Sequence, residues 1–484
     1  MKNKLLSIIL AVAMLASMCS MMIVPVSASD NFYEDNDGVW HIVNEAGLLE
    51  FRETFIASQA TLRNATVVLD NDITMTDPLP TVETYGKGFI GIFDGQGHTI
   101  SNLVINGEKN NGLLGTPYDA TNLPELTVKN LALVNASMSR AASITKQPSG
   151  FIFGQANGTA TFDNIYIQGS IAVTGDAIDG NASNAMGALI GTLNQGMVVN
   201  VSNSYFDINT KDSSVIMWRS GAIFGGTVRG GIQMNLTNCA LYGDLSNFAG
   251  YSYYWSGSGY SQGNGLTAYA PVLTAKNFVV DTVISDTVTT TGLAKGLDFQ
   301  SGSSDHLTEQ DVSGLDAADV EGFTKTVGHL VPTSLLKMFP EHCLEESDVT
   351  DSILELEGYQ TDNTNKIRLV ATIADDNTAN YKSVGFEVVA VYGDNAKSTS
   401  FSTSTVYTSI NANTATGDTA ITAQSLIGGN GYIFAMIIGN MPANTPVTFQ
   451  VKTYYIDAND AQTDGATVVF TVDEIPSGTV SGGK

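Results

Sequence analysis

Cysteine is scarce, three in 484 residues. One of them, Cys19, lies in the apolar amino-terminal run, and the remaining two, Cys239 and Cys343, are too few for a disulfide framework. Cys239 follows a recurring asparagine where other copies carry Leu, Ile, Ser or Phe, and it reads as a small buried apolar side chain. Basic residues are also short: 22 Lys and Arg stand against 48 Asp and Glu, for a formal charge of −26. A surface of that sign repels nucleic acid and anionic lipid, so neither is expected as a partner. Only Arg219 and Arg229 fall near one another, which leaves little to hold a polyanion such as pectin. Past the amino terminus no stretch approaches the ~18 consecutive apolar residues that would span a bilayer.

The amino-terminal segment, 1–28, reads as a secretory signal peptide. Lys2 and Lys4 form its positive end, Leu5 to Ile23 its apolar core, and Val26-Ser27-Ala28 a small-residue cleavage site. Pro25 and the polar Ser29-Asp30-Asn31 end the run too sharply for an anchor, and Met18 stands before Cys19 where lipidation wants a small residue. Cleavage removes two lysines and no acid, leaving 20 basic residues against 48 acidic and a charge near −28. The expected location is secreted, either extracellular or associated with a cell surface, with no membrane segment after cleavage. The remaining length suits two or three domains.

What is present is a repeat. Asn102-Leu-Val-Ile, Asn130-Leu-Ala-Leu, Asn164-Ile-Tyr-Ile, Asn203-Ser-Tyr-Phe, Asn238-Cys-Ala-Leu and Asn277-Phe-Val-Val follow one another at nearly even intervals, the first of them the shortest. A second signature interleaves with it: Gly112-Leu-Leu-Gly115, Gly150-Phe-Ile-Phe-Gly154, Gly187-Ala-Leu-Ile-Gly191 and Gly221-Ala-Ile-Phe-Gly225. Both recur inside the window of roughly 20 to 50 residues that marks a solenoid or array. Short alternating runs such as Met197–Asn203 and Gln233–Leu241 indicate strands, and glycine at the turns permits positive φ. The pattern points to an all-β chain with a right-handed parallel β-helix, asparagines stacking at one corner. A β-propeller would need four clear strands per blade and a Trp or Asp landmark, neither of which is seen. Open ends call for caps. At the near end a helix is expected over residues 44–57, with Asn44 as its cap, Glu45 in its first turn, and Leu48, Phe51 and Phe55 on one face. Residues 301–346, in which Leu307 to Phe339 loses the repeat, form the closing cap and connection.

Trp40-His41-Ile42, the strand Ala65–Met75 and the block "GIFDGQGHTISNLVI" at 91–105, followed by "GLLG", resemble the GLUG-repeat β-helix proteins. The resemblance covers about residues 38 to 300 and implies a secreted or surface protein of bacteria whose repeat unit carries no catalytic residues. The expected parallel β-helix with its cap occupies 29–300.

From about Ser347 the strands lengthen. Lys366–Ile373, Ser383–Tyr392, Ser398–Ile410, Gly431–Ile438, Val447–Ile456 and Ala466–Val472 read as strands separated by Asp, Asn and Gly turns. Over 347–476 they point to a smaller immunoglobulin-like β-sandwich, an arrangement similar to β-modules appended to secreted bacterial carbohydrate-active or surface proteins. The Gly/Ser-rich tail 477–484 reads as flexible.

No catalytic residue, metal or cofactor is assigned. A lyase or hydrolase on a β-helix needs paired carboxylates or an acidic calcium site beside a base. Asp94, Asp163, Asp176, Asp179, Asp207 and Asp212 are spread without recurrence, Asp94-Gly95 reads as a tight turn and His98 as its hydrogen-bond partner. Asp35-Asn36-Asp37-Gly38 and Asp457, Asn459, Asp460 and Asp464 read as acidic turns, lacking calcium-loop spacing. The distinctive stretch is 248–265, where Tyr251, Tyr253, Tyr254, Trp255 and Tyr260 crowd a Gly/Ser-rich loop. Such rings stack on sugar faces, or else the insertion folds back over the repeats. The leading expectation is a noncatalytic protein binding glycans or another cell-surface partner; alternatives are a polysaccharide lyase or glycoside hydrolase, and a structural spacer.

Overall fold

The computed structural model describes residues 30–473 apart from 58–61, 81–83, 85, 110, 119–122, 145–146, 176–184, 216, 218–219, 228–230, 248–271, 284–306, 314–319, 327–328, 345, 347–353, 363–365, 374–380, 394, 404–418 and 427–428, together with 481–482. The described chain is mostly β-strand, with parallel sheets.

A hairpin opens it, β1 (Phe32–Glu34) against β2 (Val39–Ile42). Helix α1 (Glu45–Ala57) follows. Then come β3 (Thr66–Leu69), β4 (Ile92–Ser101), β5 (Glu125–Ala141), β6 (Thr159–Thr174), β7 (Val198–Ser202), β8 (Tyr205–Asn209), β9 (Gln233–Asp244), β10 (Val272–Val283) and β11 (Leu307–Ser313). From β2 to β11 each pairs in parallel with the next layer, in chain order. The ladder therefore runs on through Leu307–Ser313, a segment read from the sequence as having lost the repeat. In-register pairing puts like residues over like: Phe93, Val128, Phe162, Val201, Leu236 and Ala275 form one column, all buried.

All six recurring asparagines adopt the left-handed conformation, with φ between 50° and 59°, a corner that Asn tolerates better than other side chains. Five of them line one edge of the sheet. Asn130 Nδ2 donates to Asp94 Oδ1 at 3.0 Å, Asn164 to Asn130 at 3.1 Å, Asn238 to Asn203 at 3.2 Å and Asn277 to Asn238 at 2.8 Å. Asn203 donates instead to Asp163 at 2.9 Å, leaving Asn164 Oδ1 a buried acceptor without a partner among the described residues. Asn102 does not belong to this column. It stands one corner later and accepts from Asn135 at 2.7 Å; Gln96, at φ 53°, fills the first corner. Asn238→Ala is expected to cost about 3 kcal/mol, from one strained φ and two lost hydrogen bonds. Asn238→Gly, which relieves the strain alone, should cost about 1 kcal/mol less; urea unfolding measures both.

The glycine signature marks a second wall, where Phe153–Ala156, Ile190–Leu193 and Phe224–Thr227 pair in parallel. Its glycines serve close approach, not the positive φ expected of them: apart from Gly115, none described has one. A Cβ on Gly225 would lie 2.0 Å from the Gly191 carbonyl oxygen.

Helix α1 closes the near end. Asn44 Oδ1 caps it, accepting from the Gly47 N–H at 3.1 Å, and Leu48, Phe51 and Phe55 are buried beneath it. Beyond the stack, the chain turns back along its outer face through the hairpin Phe323–Lys325/Leu330–Pro332, α2 (Thr333–Met338) and α3 (Pro340–Cys343). This strap covers a row of stacked tyrosines. Tyr166 and Tyr205 lie 5.1 Å apart, Tyr205 and Tyr242 5.2 Å. Tyr166 donates to the His342 carbonyl, and the Tyr242 hydroxyl both donates to and accepts from the Leu330 backbone.

The remainder forms two antiparallel sheets. Thr419–Leu426, Gly429–Ile438, Lys366–Ile373 and Leu354–Asp362 make one, with Ser481–Gly482 of the tail read as flexible pairing at its edge. Asn395–Thr403, β12 (Tyr381–Tyr392), Val447–Asp457 and Gln462–Val472 make the other. Ile367, Leu369, Phe386, Val388, Phe449 and Val451 share one core between them. Alternate residues of β12, Val389 and Val391, face the strap instead.

Candidate functional site

The aromatic residues singled out from the sequence, Tyr251, Tyr253, Tyr254, Trp255 and Tyr260, lie outside the described residues, as do Asp176, Asp179, Arg219 and Arg229. What surrounds the stretch is described. β9 ends at Asp244 and β10 begins at Val272, yet the two pair in register from Gln233/Val272 to Asp244/Val283. Asn247, just before the stretch, is pinned to the layer below: its Nδ2 donates to the Thr210 carbonyl at 2.9 Å and its N–H to Thr210 Oγ1 at 3.1 Å. β9 and β10, which flank the aromatic segment in the chain, thus pair with one another along their whole length.

The scattered acids have local partners. Asp94 Oδ1 accepts from the Gln96 N–H at 2.9 Å, closing the turn, while Oδ2 pairs with Lys129 at 3.1 Å. Asp163 accepts from Ser202 Oγ at 2.6 Å as well as from Asn203. His98 Nδ1 lies 3.1 Å from Asp72 Oδ1, which also accepts from the Thr99 N–H, so its partner is a neighbouring turn and not Asp94. Asp457 accepts from the Asn459 and Ala461 N–H groups, which hold it below the usual carboxylate range, the Ala461 bond most. Asp460 pairs with Lys382, and Asp464 with Lys452 at 2.7 Å. Asp94, Asp460 and Asp464 address three separate lysines. Among the described residues no three His, Cys, Asp or Glu side chains are grouped to hold a metal ion.

Two of the scarce cations are drawn inward. Arg52 is buried under α1, donates to Asn111 Oδ1 at 2.6 Å, and is lowered to about 10 by that burial. Burial lowers Arg140 to about 9. Both remain charged at neutral pH, but neither reaches the surface. Cys239 is fully buried and pushed up to about 12, which leaves its thiol inert as a nucleophile.

The sequence reading missed one cluster. His41 lies between two carboxylates, Nδ1 2.7 Å from Asp70 Oδ1 and Nε2 3.3 Å from Asp35 Oδ2. Tyr33 stacks on its ring at 4.8 Å and donates to Asp70 Oδ2 at 3.3 Å. Partial burial opposes a charge on His41, but hydrogen bonds and attraction to Asp70 and Asp35 outweigh it and raise its pKa. When protonated, the ring donates from both nitrogens and ties the hairpin to the residue that follows β3. A raised folded value means the stabilisation is complete below the ordinary histidine value of about 6.5 and is lost as pH rises through the folded value. The gap in melting temperature between wild type and Asp70→Asn should be widest between about pH 5 and 6.5 and shrink toward about pH 9. A gap that ignores pH would refute this assignment. Asp35 and Asp70 stand far apart in the chain, and only the alternation of Tyr33 and His41 on one face of the hairpin hinted at the grouping.

Comparison with protein families, curated proteins and solved structures finds no match for this chain.

Proposed function

We propose that the protein is a secreted, elongated, noncatalytic surface protein that binds glycans or another cell-surface partner. In this reading the parallel part is a right-handed parallel β-helix of the GLUG-repeat kind, and the two antiparallel sheets are an immunoglobulin-like sandwich mounted on it by the strap. The observation that carries the reading is the stacking itself. Corner asparagines bond to one another at separations of 34, 35 and 39 residues, the period of the sequence repeat. Stacked repeats build long surfaces suited to display and binding. The apolar side chains fill the interior, and the acids and bases of the corner serve the corner.

Binding is assigned to the aromatic stretch 248–265, which lies in the chain between two strands that pair in register. Tyr and Trp rings supply an apolar face for a sugar, with Ser and Asn beside them for its hydroxyls. The test is a glycan array with the full chain. Wild type is expected to retain at least one class of glycan and Trp255→Ala to bind it about tenfold more weakly, the effect of losing one central aromatic anchor. A silent array, or a Trp255→Ala variant that binds like wild type, would remove this assignment.

A further inference from the structure

Two faces of the parallel sheet flank the asparagine corner, and among the described residues only one is covered. The strap lies over the row that contains Tyr166 and Tyr205. On the other side of the corner, alternate residues point inward and are buried, as Leu126 and Val128 do, while those between them stay half-exposed. Strand register aligns the outward residues. Thr127, Thr161, Asn200, Asn235 and Thr274 are successive partners across five layers, and Ile92, 41% exposed, precedes them in the same column. From Thr127 to Thr274 the column is uncharged and carries a hydroxyl or an amide at every layer; Glu309 follows it in the next layer. Asn235 Nδ2 donates to Asn200 Oδ1 at 2.9 Å, and the Thr127 and Thr161 hydroxyls make no hydrogen bond among the described residues.

The adjacent column is Asp94, Lys129, Asp163, Ser202, Thr237 and Lys276. Its two acids and two bases cancel, on a chain that elsewhere carries more than two acids for each base. From β5 to β10 the outward acids Glu125 and Asp163 offset Lys129 and Lys276, so this stretch of the face is near neutral on a strongly acidic protein. It offers hydroxyl and amide groups repeated at the spacing of paired strands, about 4.8 Å, close to the length of one pyranose ring.

We infer that this face binds an extended, uncharged polysaccharide lying across the strands along the stack. The inference deepens the glycan-binding reading above and rests on it, adding a second surface apart from the aromatic stretch. Each hydroxyl or amide contact contributes weakly in water, so affinity comes from many layers engaged together and must rise with ligand length. A polyanion gains nothing from a face without net positive charge and is repelled by the rest of the molecule.

Affinity electrophoresis of the full chain in gels containing xylan, glucomannan, hydroxyethylcellulose or polygalacturonate tests this. Retardation by at least one neutral polymer, stronger for longer fragments and absent with polygalacturonate, is the expected result. Thr161→Lys/Asn200→Lys should weaken it at least tenfold. Thr127→Val/Thr161→Val, which removes two hydroxyls from positions that suit β-branched residues, should weaken it several-fold with an unchanged circular dichroism spectrum. Binding that survives both pairs but is lost in Trp255→Ala overturns this inference and leaves the aromatic assignment standing. Preference for polygalacturonate overturns it as well. So does a wild-type dimer in light scattering that either pair dissociates, since the face would then belong to a second copy. A chain that binds no polymer in the gels and no glycan on the array removes both readings.

Discussion

Gly191→Val is expected to prevent the parallel part of the chain from folding. A Cβ at this position would lie 2.4 Å from the Ser149 nitrogen, 2.5 Å from its oxygen and 2.6 Å from the Gly154 oxygen. All three are backbone atoms of the neighbouring layer, so no side chain can rotate away; the strands must separate. Separation breaks the pairing of Ile190–Leu193 with both Phe153–Ala156 and Phe224–Thr227 and opens the contacts of Leu189 and Ile190, both fully buried. The cost should exceed about 4 kcal/mol, the range reserved for severe overpacking. Loss of the cooperative thermal transition, or of soluble protein, is the readout. Gly439→Ala is the control, because its new methyl would meet only Lys366 side-chain carbons at 3.9 Å. A Gly191→Val protein that melts like wild type would mean the layers lie farther apart than these distances require.

Phe51→Ala should be the most damaging single change in the cap. Its ring is fully buried and lies 5.7 Å from Phe32, 5.1 Å from Phe55, 5.4 Å from Phe89 and 6.0 Å from Phe93. It therefore joins the hairpin, the helix and the first layers. Truncation leaves a cavity that rigid neighbouring strands cannot fill, at a cost of about 3–5 kcal/mol. Amide exchange should rise first in Phe32–Ile42, the hairpin that α1 holds down, before the deeper layers respond. Leu123→Ala, at a side chain 65% exposed, should change stability by less than about 0.5 kcal/mol. Equal effects of the two substitutions would argue against α1 as the closure of the near end.

The corner was legible because it asks the same thing of the chain at each turn: a residue in the left-handed conformation whose amide can bond up and down. Asparagine meets both demands, so its spacing survives where the rest of the repeat diverges. The same logic misplaced Asn102. Its interval to Asn130 is the shortest of the five, and Gln96, which holds the corner instead, carries the conformation without the expected letter. The glycines were legible as a period but not as a cause, since a collision with the next layer's backbone leaves no trace in one layer's own sequence. Of the strands expected after Ser347, Lys366–Ile373 matches its observed bounds, and those at Ser383, Gly431 and Val447 differ from theirs only at one end. Leu354–Asp362 and Thr419–Leu426 were missed. The strap falls within the segment read as closing cap and connection, but its path back along the outer face was not legible. It has no period, and what holds it, such as Tyr166 to His342 and Thr99 Oγ1 to His342 Nε2 at 2.7 Å, joins residues far apart in the chain. The His41 cluster was hidden for the same reason. β12 did leave a hint: past Glu387, "VVAVY" is apolar on both alternations, as a strand must be when Val388 faces a sheet and Val389 faces the strap.

The corner bonds all have one polarity. Between side chains of the column, every amide donor belongs to the later residue and every acceptor to the earlier one, from Asn130 onto Asp94 through Asn277 onto Asn238. The dipoles consequently add head to tail, and each completed turn presents a ready oxygen to whatever arrives next. A polypeptide delivered amino end first can zip itself closed turn upon turn from the segment that α1 has sealed, with no need to wait for its far end.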